Sequence, residues 1–448
     1  MTLEEAAAAA VEAARAAGAI DAEAWAEERE GLEARVYDGA VESLTDAGGR
    51  WLGLRVFIDA RSGYAYGTDL SEQGLSALAE AAQDGAAAAD ADDHGGLPDT
   101  FGATDVDGLH SPEIESWTTE RKIELAVGAD RAARGMKGVT QVEQTVYADS
   151  RERVAIANTR GFTSSYEASS AWAYSSAFAG KGADLMTGLG VGLARDPGGL
   201  DPEAIGTEAG ERALALVGAR QPESRRCPVV LDAFVAASFA GFIGGMLSAD
   251  AVQRGRSLFA GKLGEEVADS RLRLADDPTH PGGLASAPFD GEGSPTRRNP
   301  LIEDGRLATY LYDTRTARKD ARETTGNATR GSYRTPPSVG TSNLVLDAGE
   351  SSLAELVTQA GDGLYVTDVA GLHSGVNPVS GTFSVGATGR LIEGGELGRP
   401  VREITIASDL VSMLKAVRGV GSDSRWVPFG GSVKAAPLLL EEMSVGGS

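Results

Sequence analysis

The stretch from Gly371 to Glu396 reads GLHSGVNPVSGTFSVGATGRLIEGGE, and its pattern decides how the C-terminal half of the chain folds. Glycines recur at short intervals, Asn377-Pro378 marks a turn, and serines and threonines alternate with Phe383 and Val385. The pattern predicts two strands joined by tight turns. Such strands suit the binding of an extended peptide by strand addition, or the docking of a partner. An ordinary series of β-hairpins without a binding role explains the same pattern.

Around this stretch, residues 221–448 are rich in glycine and proline and contain many short strand patterns, which predicts a β-rich, mostly antiparallel domain. Residues 1–90 predict an α/β domain with a helix at about 3–18 and strands at EAWAEERE, at EARVYDG and in a hairpin around Ala60 to Ser62. An acidic linker at 91–116 and a middle α/β domain at 117–220 complete the prediction. The fold class is therefore α+β.

The composition indicates which environment and which partners suit the protein. The net charge is −24, and only seven of the 41 basic residues are lysine. This composition favours a surface that stays hydrated in concentrated salt, as in a halophile, where the Debye length of about 3 Å screens self-repulsion. An acidic protein from a GC-rich genome is the alternative. Direct nucleic-acid binding is disfavoured because no basic patch is present to neutralise phosphates.

The chain also lacks the signals of export. No window approaches the roughly 18 to 20 uncharged apolar residues of a membrane span. The N-terminus reads as an alanine-rich helix with acidic residues in its first turn, and not as a signal peptide. A single cysteine, Cys227, excludes an internal disulfide framework. We therefore expect a cytoplasmic protein.

The apolar run FVAASFAGFIGGML, residues 234–247, predicts a buried helix. It is too short for a membrane span and lies between Asp232 and Asp250, and it lacks the Lys-Ser/Thr ending of a phosphate-binding loop. Its small residues, Ala240, Gly241, Gly244 and Gly245, would allow another backbone to approach closely.

Candidate catalytic groups are sparse. No two of His94, His110, His280 and His373 lie within five residues of each other, so no helical zinc-binding pair exists and no metal site is predicted in this chain. Cys227 begins an apolar strand, where an inert buried thiol is commoner than a nucleophile. Gly188, Gly190 and Gly192 fit tight strand packing better than a nucleotide loop. Pairs such as Asp290 and Glu292 carry little information in so acidic a chain.

The stretch HSGVNPVSGTFSVGATG closely resembles the C-terminal signature of the TldD/PmbA (TldD/TldE) metallopeptidase family, in its TldE/PmbA type. Residues 276–319, 325–346 and 401–417 agree with the family in order, and GLRVFIDARSGYAYGTDLS at 53–71 resembles its N-terminal domain. The resemblance implies a two-subunit cytosolic zinc peptidase that processes peptides and degrades unfolded proteins. A member of the family has also been named a modulator of DNA gyrase.

The resemblance places the zinc on a helix with the motif HExxxH plus a later cysteine in the TldD-type subunit. The corresponding positions here are Ala240, Gly241 and Gly245, and AVRGVGSDSRW near the C-terminus has no cysteine. It therefore implies that this chain has no catalytic residue and no cofactor of its own, and that zinc is bound by a TldD-type partner. The candidate peptide- or partner-binding residues are His373, Ser374, Asn377, Ser380 and Phe383.

Three functional hypotheses follow. The first is a subunit that completes a TldD-type zinc peptidase acting on peptides or unfolded proteins. The second is a non-catalytic regulatory protein that binds peptides or proteins, such as a homodimer. The third is a peptidase that uses Cys227 or the region of His373. We expect a hetero- or homo-oligomer, because the glycine-rich C-terminal region offers strand edges that a monomer would have to protect.

Overall fold

The N-terminal half is one antiparallel sheet with helices on one face. The computed structural model describes residues 1–428 and 432–448, and its first six strands lie in the order β3-β2-β1-β4-β5-β6. The elements of this half are α1 (Leu3–Ala16), β1 (Asp21–Tyr37), β2 (Ala40–Ile58), β3 (Arg61–Gly67), α2 (Glu72–Ala88), α3 (Thr119–Gly135), β4 (Val139–Asn158), β5 (Thr163–Ala179), β6 (Met186–Ala194) and α4 (Pro202–Leu214).

The two faces of this sheet differ in side-chain size. Alanines of β1 and β4 contact α1 and α2, and the glycines of β6 contact α4, so the helices lie close to the strands. The opposite face presents large side chains. There Trp25 of β1 packs edge-on against Phe289 of the C-terminal region, with ring centroids 6.2 Å apart. The alternation of strand side chains thus separates a helix-covered face from a face that meets the rest of the chain.

The prediction of two strands at EAWAEERE and EARVYDG is wrong. The structure has a single strand there, β1, which β2 and β4 flank along most of its length. Gly31 lies between the two sequence patterns and does not interrupt the strand. A Cβ at this position would lie 2.9 Å from the carbonyl oxygen of Asp149 on β4, so glycine is required by the neighbouring backbone and not by a turn.

The C-terminal region contains two further six-stranded sheets, in the orders β16-β15-β14-β7-β20-β17 and β10-β9-β8-β13-β19-β18, and a two-stranded ladder of β11 and β12. Its elements are β7 (Arg225–Leu231), α5 (Ala233–Met246), α6 (Ala249–Gln253), β8 (Leu274–Asp276), β9 (Asn299–Glu303), β10 (Arg306–Leu307), α7 (Thr314–Lys319), β11 (Ala328–Thr329), β12 (Ser338–Val339), β13 (Asn343–Leu346), α8 (Leu353–Ala360), β14 (Gly363–Ala370), α9 (Leu372–Gly375), β15 (Thr382–Glu393), β16 (Glu396–Asp409), α10 (Leu410–Lys415), β17 (Val417–Val420), β18 (Arg425–Val427), β19 (Ser432–Ala435) and β20 (Leu438–Gly446).

The prediction of an α+β fold with a β-rich, mostly antiparallel C-terminal region is confirmed. The parallel pairs are β7 with β14 and β13 with β19, one in each large sheet. The predicted N-terminal and middle domains share one sheet through the β1–β4 pair, and the division of the chain at residues 90, 116 and 220 stays a prediction. Among the described residues, no helix combines the length and the apolar character that crossing a membrane requires.

Candidate functional site

Helix α5 is the centre of the candidate site. It contacts strands of both large C-terminal sheets, and most of its side chains are buried, which explains why its sequence is apolar on nearly every face. Asp232 is the N-cap and accepts a hydrogen bond from the backbone N–H of Phe234 at 2.9 Å. The prediction of a buried helix in this stretch is confirmed.

One stripe of α5 remains accessible. Ser238 and Gly241 are half-buried and Gly245 is exposed. A Cβ at Gly245 would have no atom within 4 Å, so the predicted close approach of another backbone is wrong at this residue. Gly244 is tightly packed, but against a side chain and not against another backbone, because a Cβ there would meet the Leu344 side chain at 2.5 Å.

The three positions matched to the zinc motif do not share one environment. Ala240 is only 6% exposed and belongs to the hydrophobic core, whereas Gly241 and Gly245 lie on the accessible stripe. The helix carries no imidazole, thiol or carboxylate between Ala233 and Met246. Zinc sites in proteins are built from such groups, so the side chains of this helix do not fit a zinc ion.

A cleft of about 710 Å³ runs beside the N-terminal half of α5 and separates it from α4 and β6. We call it the α5 cleft. Ser238 of the accessible stripe lines it, together with Thr367 and Asp368 of β14. Burial raises the pKa of Asp368, an effect that the N–H of Val369 opposes. The cleft therefore combines hydroxyl and carboxyl groups with apolar walls, as ligand sites do.

A chain of ionic contacts crosses the wall of the α5 cleft. Arg212 of α4 contacts Asp232 at 3.1 Å and Glu208 at 3.2 Å, and Glu208 also pairs with Arg425. The hydroxyl of Tyr365 donates a hydrogen bond to Asp232 at 2.5 Å. We call these five residues the cleft network. No sequence motif indicated the cleft network, because Asp232 and Tyr365 are 133 residues apart.

Titration in the cleft network is governed by burial and by its carboxylates. Burial alone would lower the pKa of Arg212, but Asp232 and Glu208 outweigh it and raise that pKa. Burial, reinforced by Asp232, raises the pKa of Tyr365, so its hydroxyl stays protonated and donates. The guanidinium groups of Arg212 and Arg425 both lie over the ring of Phe234, at 4.3 and 4.6 Å from its centroid.

The predicted binding stretch at 373–383 forms a compact turn. The side-chain oxygen of Asn377 accepts hydrogen bonds from the backbone N–H groups of Val379 and Ser380, at 2.9 and 3.1 Å. Ser374, Asn377 and Phe383 line a shallow cavity of about 550 Å³. Asn377 therefore both builds the turn and borders this cavity.

The other predicted residues of this stretch differ in exposure. His373 and Ser374 lie on the exposed helix α9, and Ser380 is exposed in the turn. Phe383 is only 4% exposed and packs against Phe239 of α5, with ring centroids 5.2 Å apart. Its ring anchors the turn to α5. A binding role for these five residues stays a prediction.

The remaining candidate residues lie in packed parts of the fold. Cys227 is buried opposite Met443 in the β7–β20 ladder, and burial raises the pKa of its thiol, which disfavours the reactive thiolate. Glu292 is buried against Arg55 of β2, whereas Asp290 is buried within the C-terminal region, where it accepts hydrogen bonds from the N–H groups of Ser294 and Ala328. Cβ atoms at Gly188 and Gly190 would lie 2.2 and 2.0 Å from backbone oxygens of α4, so these glycines allow the helix to pack.

One histidine lies among carboxylates. His110, Glu115 and Glu167 place their ligand atoms within 4.8 Å of one another. Arg151 pairs with both glutamates, with Glu115 at 2.9 Å, so a guanidinium already engages both carboxylates. This grouping could not be expected from the sequence, where His110 is 57 residues from Glu167.

Family models for three domains match consecutive parts of the chain. They describe PmbA/TldA metallopeptidase domain 1, at residues 22–89, the central domain, at 112–217, and the C-terminal domain, at 224–447. Among curated proteins, the chain is 29% identical to the metalloprotease PmbA of Escherichia coli O157:H7, over 99% of this chain and 96% of that protein. It is 27% identical to a metalloprotease TldD homolog of Haemophilus influenzae, over 92% and 89%.

Two solved structures share the fold along the whole chain. A putative modulator of a DNA gyrase from Thermotoga maritima superposes with a TM-score of 0.89 at 29% identity, covering 99% of this chain and 100% of that one. TldE from Thermococcus kodakarensis superposes with a TM-score of 0.90, covering 98% and 99%, and at 23% identity it supports the fold alone.

Proposed function

The chain belongs to the PmbA/TldD metallopeptidase family, and from that premise we propose that it is a TldE/PmbA-type subunit, without a catalytic metal, of a two-subunit zinc peptidase. The observation that carries the proposal is the accessible stripe of α5. At the positions matched to the zinc motif it presents Gly241 and Gly245, and the third position, Ala240, is buried.

The α5 cleft does not supply the missing ligands from elsewhere. Its lining, as far as the structure describes the chain, contains carboxylates but neither histidine nor cysteine. Two of those carboxylates, Asp232 and Glu208, are engaged by Arg212. Because zinc sites in peptidases use imidazoles together with a carboxylate that activates water, the residues present do not fit the ion. Zinc would therefore be bound by a TldD-type partner.

In this proposal the chain contributes a binding surface for peptides or unfolded proteins. The α5 cleft offers hydroxyl and carboxyl groups beside apolar walls, and the turn at 373–383 offers a second, shallow cavity. Holding an extended substrate in a fixed position lowers the entropy cost of its reaction at the partner's zinc.

The test is a peptidase assay on four samples: this chain, a TldD-type partner, their mixture, and a mixture in which the glutamate of the partner's HExxxH motif is replaced by glutamine. We expect hydrolysis of unstructured peptides in the wild-type mixture and none by this chain alone. The glutamine mixture controls for contaminating proteases. A series of salt concentrations up to molar KCl covers the halophilic surface that the composition predicts.

A variant connects the assay to the cleft. Ser238→Trp places a large side chain in the α5 cleft and should lower the activity of the mixture at least tenfold. Ala47→Trp, at an exposed position of β2, is the matched control. Hydrolysis by this chain alone would contradict the proposal, and so would a mixture that binds tightly but gains no activity.

The second candidate function is a non-catalytic protein that binds peptides or proteins, such as a homodimer. It is favoured by the solved relative described as a putative modulator of a DNA gyrase. It predicts peptide binding by the chain alone and no activity in any mixture. Co-purification from the native source, at its native salt concentration, separates the two: an HExxxH-bearing partner supports the subunit, and self-association without one supports the binding protein.

A further inference from the structure

A second cavity lies between the N-terminal sheet and the C-terminal region, on the large-residue face of the sheet. We call it the apolar chamber. Its volume is about 570 Å³, within the range of roughly 300–1,000 Å³ typical of ligand sites. Its lining is almost entirely hydrophobic and includes Trp172, Tyr174, Leu189, Val191, Leu193 and Trp426.

The floor of the apolar chamber follows from the sequence GLGVGLA at 188–194. In β6 the glycines face α4, and Leu189, Val191 and Leu193 alternate with them on the opposite side. On the neighbouring strand β5, Trp172 and Tyr174 lie opposite Leu193 and Val191 and stack with ring centroids 6.0 Å apart. The floor is therefore a rigid aromatic and aliphatic surface built on strands.

The wall of the apolar chamber is fixed by polar contacts outside it. Trp426 of β18 packs edge-on against His280, with ring centroids 5.1 Å apart. Arg425 donates a hydrogen bond to the backbone oxygen of Val191 at 3.1 Å, and Glu208 accepts one from the N–H of Val191 at 3.3 Å. These side chains occupy the open edge of β6 at Val191. An incoming peptide could not add there as a strand, so the feature left for recognition is the cavity itself.

Two polar groups at the floor suit an occupant that also offers hydrogen-bond acceptors. Within residues 1–428 and 432–448, neither the indole N–H of Trp172 nor the hydroxyl of Tyr174 is hydrogen-bonded to another protein group. Both side chains are half-buried. Burial raises the pKa of Tyr174, so its hydroxyl remains a donor. An occupant with apolar bulk and nearby carbonyl acceptors, such as a peptide residue, satisfies both properties.

The apolar chamber and the α5 cleft are neighbours along β6. Leu189 lines both cavities, and Glu208 and Arg425 of the cleft network stand at their boundary. The cleft offers polar groups suited to a peptide main chain, and the chamber next to it offers an apolar space. A lipid tail could bury its end in the apolar chamber, but the rest of the tail would lie against the charged wall of the α5 cleft, which is unfavourable.

We propose that the apolar chamber binds a bulky aromatic or aliphatic side chain of a peptide whose main chain lies in the α5 cleft. The inference rests on the proposed function, because it makes peptides with such residues the preferred substrates. It predicts that the isolated chain, without any partner, already discriminates among peptides by the size of one apolar side chain.

The test is calorimetric titration of the purified chain with acetylated, amidated pentapeptides of sequence Ala-Ala-Xaa-Ala-Ala, where Xaa is Phe, Leu, Ala or Asp. We expect the Phe and Leu peptides to bind at least about tenfold more tightly than the Ala peptide, since burying such a side chain accounts for that ratio. Equal affinity for Phe and Ala, or tighter binding of Asp, would overturn the inference.

Two variants and one control locate the binding. Ala285→Trp fills the chamber from an exposed position on its rim and should abolish the preference for Phe, whereas Ala47→Trp on β2 should preserve it. Tyr174→Phe should weaken all four peptides two- to fivefold through the lost hydrogen bond. Unfolding transitions report whether each variant is folded. An unchanged preference in Ala285→Trp overturns the inference, and so does an effect that sedimentation traces only to a change in oligomeric state.

The outcome is separable from that of the proposed function. If the chain shows no preference for the Phe and Leu peptides but the mixture hydrolyses peptides, the role of the apolar chamber is wrong and the subunit role stands. A clear preference without partner-dependent hydrolysis supports the chamber and assigns it to a peptide-binding protein.

Discussion

Two of the groups of arginines and carboxylates in the described part of the chain differ in burial. In the first, Arg55 lies between Glu23 and Glu292 at 3.0 Å from each, and Arg330 also pairs with Glu23. We call it the inter-half cluster, because Glu23 and Arg55 belong to the N-terminal sheet and the other two to the C-terminal region. The second is the cleft network around Arg212.

Exposure separates the two groups. Side chains of the inter-half cluster are 1–11% exposed, whereas those of Arg212, Glu208 and Arg425 are 22–33% exposed at the wall of the α5 cleft. Burial alone would lower the pKa of Arg55, yet Glu23 and Glu292 outweigh it and raise that pKa. The same pairing chemistry thus joins two halves of the fold where water is excluded, and lines the α5 cleft where water enters.

The largest effect should follow from Arg55→Met. It removes the cation between two buried carboxylates and keeps most of the aliphatic stem, so the loss is electrostatic. We expect the free energy of unfolding to fall by about 3–5 kcal/mol, the range for breaking a buried ion pair from one side. Urea denaturation followed by circular dichroism measures it.

The matched control for that prediction is Arg273→Met. Arg273 pairs with Asp304 at 2.7 Å, but both side chains are more than half exposed. Exposed pairs add little to stability, so the unfolding curve should scarcely move. Equal losses in the two variants would contradict the distinction between buried and exposed pairs.

The difference between the two groups also shows what the sequence could and could not predict. The α+β class, the buried helix α5 and the turn at Asn377 follow from local patterns, because apolar runs and turn residues act over short distances. The inter-half cluster does not follow, since Arg55 and Glu292 are 237 residues apart. Nor does the accessible stripe of α5, because Ser238 is the single polar side chain of the run and glycine occurs both on the stripe, at Gly245, and on the packed face, at Gly244.

The second prediction concerns the cleft network. Arg212→Met leaves Asp232 with two hydrogen bonds, from Tyr365 and from the N–H of Phe234. Because these donors and nearby water compensate the carboxylate, we expect a loss of about 1–2 kcal/mol, below that of Arg55→Met. Thermal unfolding of the two variants side by side measures the difference, and a larger loss for Arg212→Met would reverse the comparison.

The third prediction removes one hydroxyl from the same network. Tyr365→Phe deletes the hydrogen bond to Asp232 and keeps the ring, and Arg212 still pairs with the carboxylate. We expect a loss of about 1 kcal/mol in the free energy of unfolding. The Arg212→Met/Tyr365→Phe double variant completes the cycle. Its loss should exceed the sum of the single losses, because each substitution alone leaves the other donor in place.

The last prediction is read from the pH dependence of stability and concerns a carboxylate pair that no arginine of the described residues joins at ion-pair distance. Glu27 and Glu152 lie on the large-residue face of adjacent strands, and burial, with Glu27 as a second cause, raises the pKa of Glu152 to about 7. Arg29 on the neighbouring strand only opposes the rise in pKa. Between pH 4.5 and 7 the native protein then keeps a proton that the unfolded chain releases, so this group makes stability fall as pH rises. Glu152→Gln should flatten that fall across pH 5–7 and leave stability at pH 4.5 nearly unchanged. Unfolding free energies of both proteins at half-unit pH intervals measure the difference. Parallel stability curves for the two proteins would show that Glu152 titrates as an ordinary exposed carboxyl. They would contradict the contrast between this pair and the inter-half cluster.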